Sequence, residues 1–360
     1  MGKVRVIAFY LPQFYPTPEN DEWWEPGFTE WTNVARAKPL FKGHYQPRIP
    51  RDLGFYDLRV PETREKQAQL AREAGIEGFC YWHYWFGNGK RLLADVFREV
   101  VETGKPDFPF CLCWANHSWY QKTWDPNKPN KLLIEQTYPG VDDYEAHFYE
   151  MLPAFKDKRY MRTSDGRLIF GIFSAYSIPN PQVFFNTWNQ LAKENGLIGF
   201  DFFAFVQGEK ELVKTDTTIY DRIVYDALDD TFGSNSIGLL KRIDHKFKLL
   251  FGFPIKKAKY IDYIKVAISM FLKYKGFTPC IVPMFDHSPR SKNRSIILHN
   301  DNPELWGKLC KKTKEIVENN SDVEKLIFIK SWNEWGECNY MEPDTKFGKK
   351  YIEQSASSFQ

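Results

Sequence analysis

No apolar run in the sequence reaches the roughly 18 residues that a helix needs to cross a membrane. The N-terminus passes directly from Met1-Gly2-Lys3 into Val4-Arg5-Val6-Ile7-Ala8-Phe9-Tyr10, without the charged, apolar and small-residue segments of a secretory signal. A cytoplasmic protein is expected, with any membrane contact confined to its surface. Cysteine is sparse, six in 360 residues. Cys80, Cys111, Cys113 and Cys280 sit inside apolar runs, where a thiol serves as a small buried hydrophobe. Cys111-Leu112-Cys113 has one residue between its thiols and no second pair follows, so it is not a zinc motif. His44, His83, His117, His147, His245, His287 and His299 are scattered, with no His-x-x-x-His. No metal and no other cofactor is expected. The chain has no Gly-x-Gly-x-x-Gly after a strand, no Walker loop and no Asp-x-Asp, which argues against a nucleotide site. It also lacks an excess of either charge. Its 49 Lys plus Arg against 46 Asp plus Glu leave +3, which is not the charge of a nucleic-acid binder.

Aromatic residues are what the chain has in quantity, 17% of the total with 12 Trp. Many fall in polar clusters rather than in periodic core runs. The first apolar run, 4–10, reads as a strand. A long polar-aromatic loop follows, through Trp23, Trp24 and Trp31 and on to Pro47. Three Trp in a loop of that length point to function rather than disorder. Short apolar strands are then expected at 78–82, 109–114, 168–173, 202–206, 222–226, 280–285 and 326–330. Helices are expected at 61–74, 92–103, 144–155, 181–195 and 302–319. Eight strands alternating with helices predict an α/β fold with parallel pairing. Within that class a closed (β/α)8 TIM barrel is favoured over an open doubly wound sheet. The whole chain, 1–360, reads as one catalytic domain. Residues 233–277 break the alternation just before the seventh strand. Ten Lys and Arg stand in 233–275 against Asp244 and Asp262, with apolar residues between them. This stretch reads as a long βα insertion with a solvated basic face, or as a surface for anionic lipid headgroups or an acidic glycan.

In such a barrel the C-terminal ends of the strands converge on one mouth, where active sites are built. Those ends carry Tyr10, His83, Trp114, Asn116, Asp286 and Glu334. The eighth strand runs out into Ser331-Trp332-Asn333-Glu334-Trp335-Gly336-Glu337, with two carboxylates three residues apart among indoles and asparagines. Carboxylates that close either repel, so that one is pushed toward its neutral form, or divide the roles of acid and base. Aromatic walls supply desolvation and a flat surface for a sugar ring. Plainer readings stand beside these: His83 as a hydrogen-bonded structural residue, Trp114 as a cap on the core, Asp286 to Arg290 as a turn held by an ion pair, and Glu-x-x-Glu as a solvated loop.

Several motifs resemble a known family: Ala8-Phe9-Tyr10-Leu11-Pro12-Gln13-Phe14, Gly27-Phe28-Thr29-Glu30-Trp31-Thr32-Asn33, Tyr81-Trp82-His83-Tyr84-Trp85-Phe86, Trp114-Ala115-Asn116 and Trp332-Asn333-Glu334-Trp335-Gly336-Glu337. They look like the WbsX-type proteins of O-antigen and other polysaccharide gene clusters, often labelled glycosyltransferases, and the likeness spans nearly the whole chain. Those proteins are in turn similar to glycoside hydrolase family 99, the endo-α-mannosidases and endo-α-mannanases. That narrower resemblance rests on the first strand, the Asp286–Arg290 segment and the Asn-Glu-x-x-Glu exit. It implies a (β/α)8 barrel and a retaining endo-hydrolase of a bacterial polysaccharide, with no cofactor. Glu334 would act as base on a sugar 2-hydroxyl, giving a 1,2-anhydro intermediate, and Glu337 would protonate the leaving oxygen. The family has His where this chain has Gly336. The matching motifs add Trp31, Tyr81, Arg290, Asn333 and Trp335 to the substrate contacts. Two other functions are compatible with the same residues: a glycosyltransferase or transglycosylase with a sugar hydroxyl in place of water, and a non-catalytic glycan-binding protein.

Overall fold

Eight parallel strands close on themselves in chain order. They are β1 (Arg5–Tyr10), β2 (Gly78–His83), β3 (Phe110–Trp114), β4 (Leu168–Ile172), β5 (Phe200–Gln207), β6 (Arg222–Asp226), β7 (Thr278–Ile281) and β8 (Leu326–Ile329). Each pairs with the next, and β8 closes on β1 through Arg5↔Leu326 to Ala8↔Ile329. This is the (β/α)8 barrel. The computed structural model describes residues 3–121, 130–233, 254, 256–321 and 324–359. The strands are apolar on both faces because one face meets the barrel interior and the other meets helices. β7 ends at Ile281, short of the expected 285, and Pro283 therefore lies beyond the ladder, where its missing N–H costs no pairing.

The surrounding helices are α1 (Glu30–Arg36), α2 (Pro61–Glu73), α3 (Asp95–Thr103), α4 (Val141–Lys156), α5 (Pro181–Glu194), α6 (Tyr260–Lys273), α7 (Pro303–Glu318) and α8 (Lys350–Phe359). Proline opens α2, α5 and α7 at the first turn, where its missing N–H is tolerated. Asn302 caps α7 by accepting from the Leu305 N–H. Of the basic stretch 233–277, residues 234–253 and 255 lie outside the described residues. Its later part forms α6, between β6 and β7. Tyr260, Tyr263, Ile264, Ala267 and Phe271 recur at helical spacing and are buried, while Lys265 and Lys273 face outward. Among the described residues, no helix is long and apolar enough to cross a membrane.

Aromatic rings fill the barrel. Phe9 of β1 meets Phe205 of β5 at 5.2 Å between centroids, and Phe203 of β5 meets Phe328 of β8 at 5.1 Å. Neither pair of strands is adjacent, so these contacts cross the interior.

Candidate active site

Side chains alternate along a strand with a period of two. The contacts across the barrel therefore fix which column of each strand points inward. Phe9 lies on the inner column of β1, and Trp82 stacks on it at 4.5 Å and 11°. Phe173 stacks on Phe205 at 5.6 Å. On β8 the inner column runs from Phe328 to Lys330. The upper ends of these columns form the floor of a cavity of about 690 Å³, lined by Leu11, Trp82, Phe173, Gln207 and Lys330 among others. The loop after β1 supplies one wall. Trp24 is 47% exposed there and stacks on Phe28.

The Glu334 and Glu337 carboxylates line this cavity together with Arg290. After β8 the chain makes a small hairpin. Asn333–Glu334 pairs with Asn339–Tyr340, and Trp335–Glu337 forms one 3-10 turn between them. The Arg290 Nη1 donates to Glu337 Oε1 at 2.6 Å and to Glu334 Oε1 at 3.3 Å. Its Nε donates to Glu30 Oε2 at 3.0 Å, and Gln13 Nε2 holds the other Glu30 oxygen at 3.1 Å. One guanidinium thus gathers three carboxylates. Gly336 makes room for this. A Cβ there would fall 1.9 Å from Glu30 Oε2 and 2.9 Å from Arg290 Nε.

Burial pushes the Glu334 carboxyl up to about 7, and the neighbouring Glu337 charge adds to this against Arg290 and Lys330. Burial also acts to raise Glu337, but Arg290, His287 and Lys330 together hold it below the usual glutamate range. Below about pH 7 the pair therefore holds one proton, and it rests on Glu334. The resemblance makes Glu337 the proton donor, whereas the raised carboxyl of the pair is that of Glu334. The shorter bond from Arg290 stabilises the charge on Glu337 more than that on Glu334.

The other expected contacts are brought to the same end of the barrel but turned away from the cavity. Tyr10, Tyr81, His83 and Trp114 lie on the outer columns, between the strands and the helices. A shift of one residue along a strand exchanges the two faces. The Tyr10 hydroxyl donates to Gln67 Oε1 at 2.7 Å, and Tyr81 packs on Tyr10 and Phe97. His83 and His147 share a 2.7 Å contact between their Nε2 atoms, and burial holds both well below the usual histidine value. The Trp114 indole N–H donates to the Trp85 carbonyl at 2.8 Å. Asn116 clamps Ser174 through both its backbone N–H and its carbonyl. Asn333 does the same to Leu11, at 2.7 and 3.0 Å. Trp31 donates to the Tyr56 carbonyl, and Trp335 donates to the buried Glu342 at 2.6 Å while stacking on Tyr340. The buried Asp286 takes hydrogen bonds from Gln46 and the Ser288 N–H and pairs with His44, and its own N–H donates to the Glu337 carbonyl. These residues hold the mouth in shape. Tyr10→Phe is accordingly expected to lower the unfolding free energy by about 1–2 kcal/mol and to leave kcat and KM unchanged, as measured by chemical denaturation and steady-state rates.

Sequence reasoning missed Glu30, Gln13, Lys330, Trp82 and Tyr84 as members of the site. Glu30 and Trp82 lie inside the matched motifs, and Lys330 ends the apolar run of β8. Among the described residues, no group of three or more His, Cys, Asp or Glu side chains is arranged to hold a metal ion.

A family model described as "Glycosyltransferase WbsX" matches residues 6–355. The chain is 34% identical over 357 residues to "Uncharacterized protein WxcX" of Xanthomonas campestris pv. campestris. That match covers 97% of this chain and 48% of the relative, so the chain spans about half the length of the curated relatives it matches. Among solved structures, it is similar to a "Glycoside hydrolase-like protein" with a TM-score of 0.61 and 13% identity, covering 100% of this chain and 95% of that one. It is also similar to the GH99 endo-alpha-mannosidase from Bacteroides thetaiotaomicron, with a TM-score of 0.55 and 16% identity over 99% and 96% of the two chains. At those identities the likeness is one of fold.

Proposed function

The chain belongs to the family described as Glycosyltransferase WbsX, and on that footing we propose that it is a retaining, endo-acting glycoside hydrolase of a bacterial polysaccharide of O-antigen or capsule type. The observation that carries this reading is the single Arg290 nitrogen in contact with both Glu334 and Glu337 on the cavity wall. The two contacted oxygens cannot be farther apart than those two bonds laid end to end, about 5.9 Å. A pair held this close lets one carboxyl protonate the leaving oxygen while the other acts on the same sugar ring, and this supports the reading.

In the proposed cycle the pair works with its one proton. In the protein alone that proton rests on Glu334. Substrate hydroxyls that engage Arg290 weaken its hold on Glu337, and the proton passes to Glu337. Glu334 is then free to take the proton of the sugar 2-hydroxyl as that oxygen closes on the anomeric carbon. Glu337 gives its proton to the departing glycosidic oxygen. Water then opens the three-membered ring, losing a proton to Glu337 while Glu334 returns one to the 2-oxygen. Transfer to a sugar hydroxyl, which the family's description favours, would use the same steps with that hydroxyl in place of water.

The pH profile tests the shared proton. The carboxyl that holds it titrates near 7, so kcat/KM on a polysaccharide should fall tenfold per pH unit above about 7. Activity that stays flat from pH 6 to 9 would remove the proton-sharing pair from the mechanism.

A further inference from the structure

We propose that Lys330 is a specificity-determining residue, whose ammonium donates to a hydroxyl oxygen of a neutral sugar ring lying on the aromatic floor beside Glu334 and Glu337. The inference rests on reading the cavity as a glycan site. Lys330 follows Phe328 on the inner column of β8, so its side chain stands above the barrel core and lines the cavity. The residue is only 6% exposed. Its Nζ lies 5.7 Å from the Phe285 ring centre and 6.0 Å from that of Phe205.

Lys330 forms an ion pair with the buried Asp226, but at 3.7 Å to Oδ2 it is too long for a hydrogen bond, so the pairing leaves the ammonium's donors uncommitted, and that oxygen has no hydrogen-bond partner among the described residues. No hydrogen bond from Lys330 Nζ is found among the described residues either. The ammonium thus lines the cavity with donors that no protein acceptor among the described residues takes, and a sugar hydroxyl oxygen in the cavity can accept from them. Lysine at this position also stays charged. Burial acts to lower its pKa, but Asp226, Glu337 and Glu334 raise it above the ordinary value.

The charge around the cavity selects the class of acceptor. Glu30, Glu337 and Asp229 lie on its wall, and the one Arg290 guanidinium is already shared among three carboxylates. A carboxylated sugar would be repelled, whereas a hydroxyl accepts from Lys330 at no electrostatic cost.

The test is a binding measurement by titration calorimetry, so it does not depend on turnover. The probes are methyl α-mannoside, methyl α-glucoside and methyl α-galactoside, their monodeoxy analogues, and methyl α-glucuronide. The proteins are the wild type, Lys330→Gln, and Lys330→Met combined with Asp226→Asn, which strands no buried charge. The wild type should bind at least one neutral glycoside and bind one of its deoxy analogues about 10- to 100-fold more weakly, the range for hydrogen bonds to a charged donor. The double variant should bind those two alike, and Lys330→Gln should keep part of the preference. An undiminished preference in a folded double variant, or tightest wild-type binding to the glucuronide, overturns the role of Lys330. Failure of every glycoside to bind the wild type overturns the glycan-site reading itself.

Discussion

Glu337→Gln is expected to lose on the order of 10²–10⁴-fold in kcat/KM on a natural glycan and far less on an activated aryl glycoside. An aryl leaving group departs with little protonation, so the missing acid matters little to it. Glu334→Gln should be impaired on both substrates by a similar factor, because the 2-hydroxyl must be deprotonated whichever group leaves. The contrast between the two variants therefore reads the roles separately. Opposite selectivity would place the donor at Glu334, the carboxyl that burial raises. Equal and small losses for both variants on both substrates would return the pair to a structural hairpin.

The second large effect is expected at Gly336. A methyl group there would occupy the position of Glu30 Oε2. The Glu30 side chain can swing aside, so Gly336→Ala should destabilise the fold only modestly, by about 1–2 kcal/mol. Swinging aside breaks the contact with Arg290 Nε, and Arg290 then no longer holds its position between Glu334 and Glu337. A displacement of about 1 Å in a catalytic array costs roughly 10²-fold in rate, and a loss of that order is predicted. Glu30→Ala should show a similar loss for the same reason. The double variant should be no worse than either single variant, since both act through Arg290. Losses that multiply in the double variant would mean that Gly336 and Glu30 act on different things.

The barrel was legible because its strands are short apolar runs separated by helices with Pro at the start, as in α2, α5 and α7. The Glu pair was legible because it follows directly on the eighth such run. The inward columns were not legible. In β2 all six residues from Gly78 to His83 are buried, with no polar face to mark the outside. Choosing His83 over Trp82 was therefore a choice of parity, and only the contacts of Phe9 with Trp82 and Phe205 decide it. Glu30 was hidden for a different reason. It sits in α1, far from β8 in sequence, and only barrel closure brings it to Arg290. Lys330 was hidden by its neighbours, since one lysine at the end of Leu326-Ile327-Phe328-Ile329 reads as the strand's exit to solvent rather than as a buried cation. The helix α6 was masked by the surrounding lysines, although its tyrosines carry the helical period.

The most direct measurement is proton NMR of the wild-type protein incubated with an O-antigen or capsular polysaccharide and no activated sugar donor, following the anomeric signals at early times. The account predicts new reducing ends that first appear with the anomeric configuration of the bond cleaved, and then mutarotate. Reducing ends of the opposite configuration would contradict the retaining pair, and reducing ends that appear only when an activated donor is added would contradict hydrolysis.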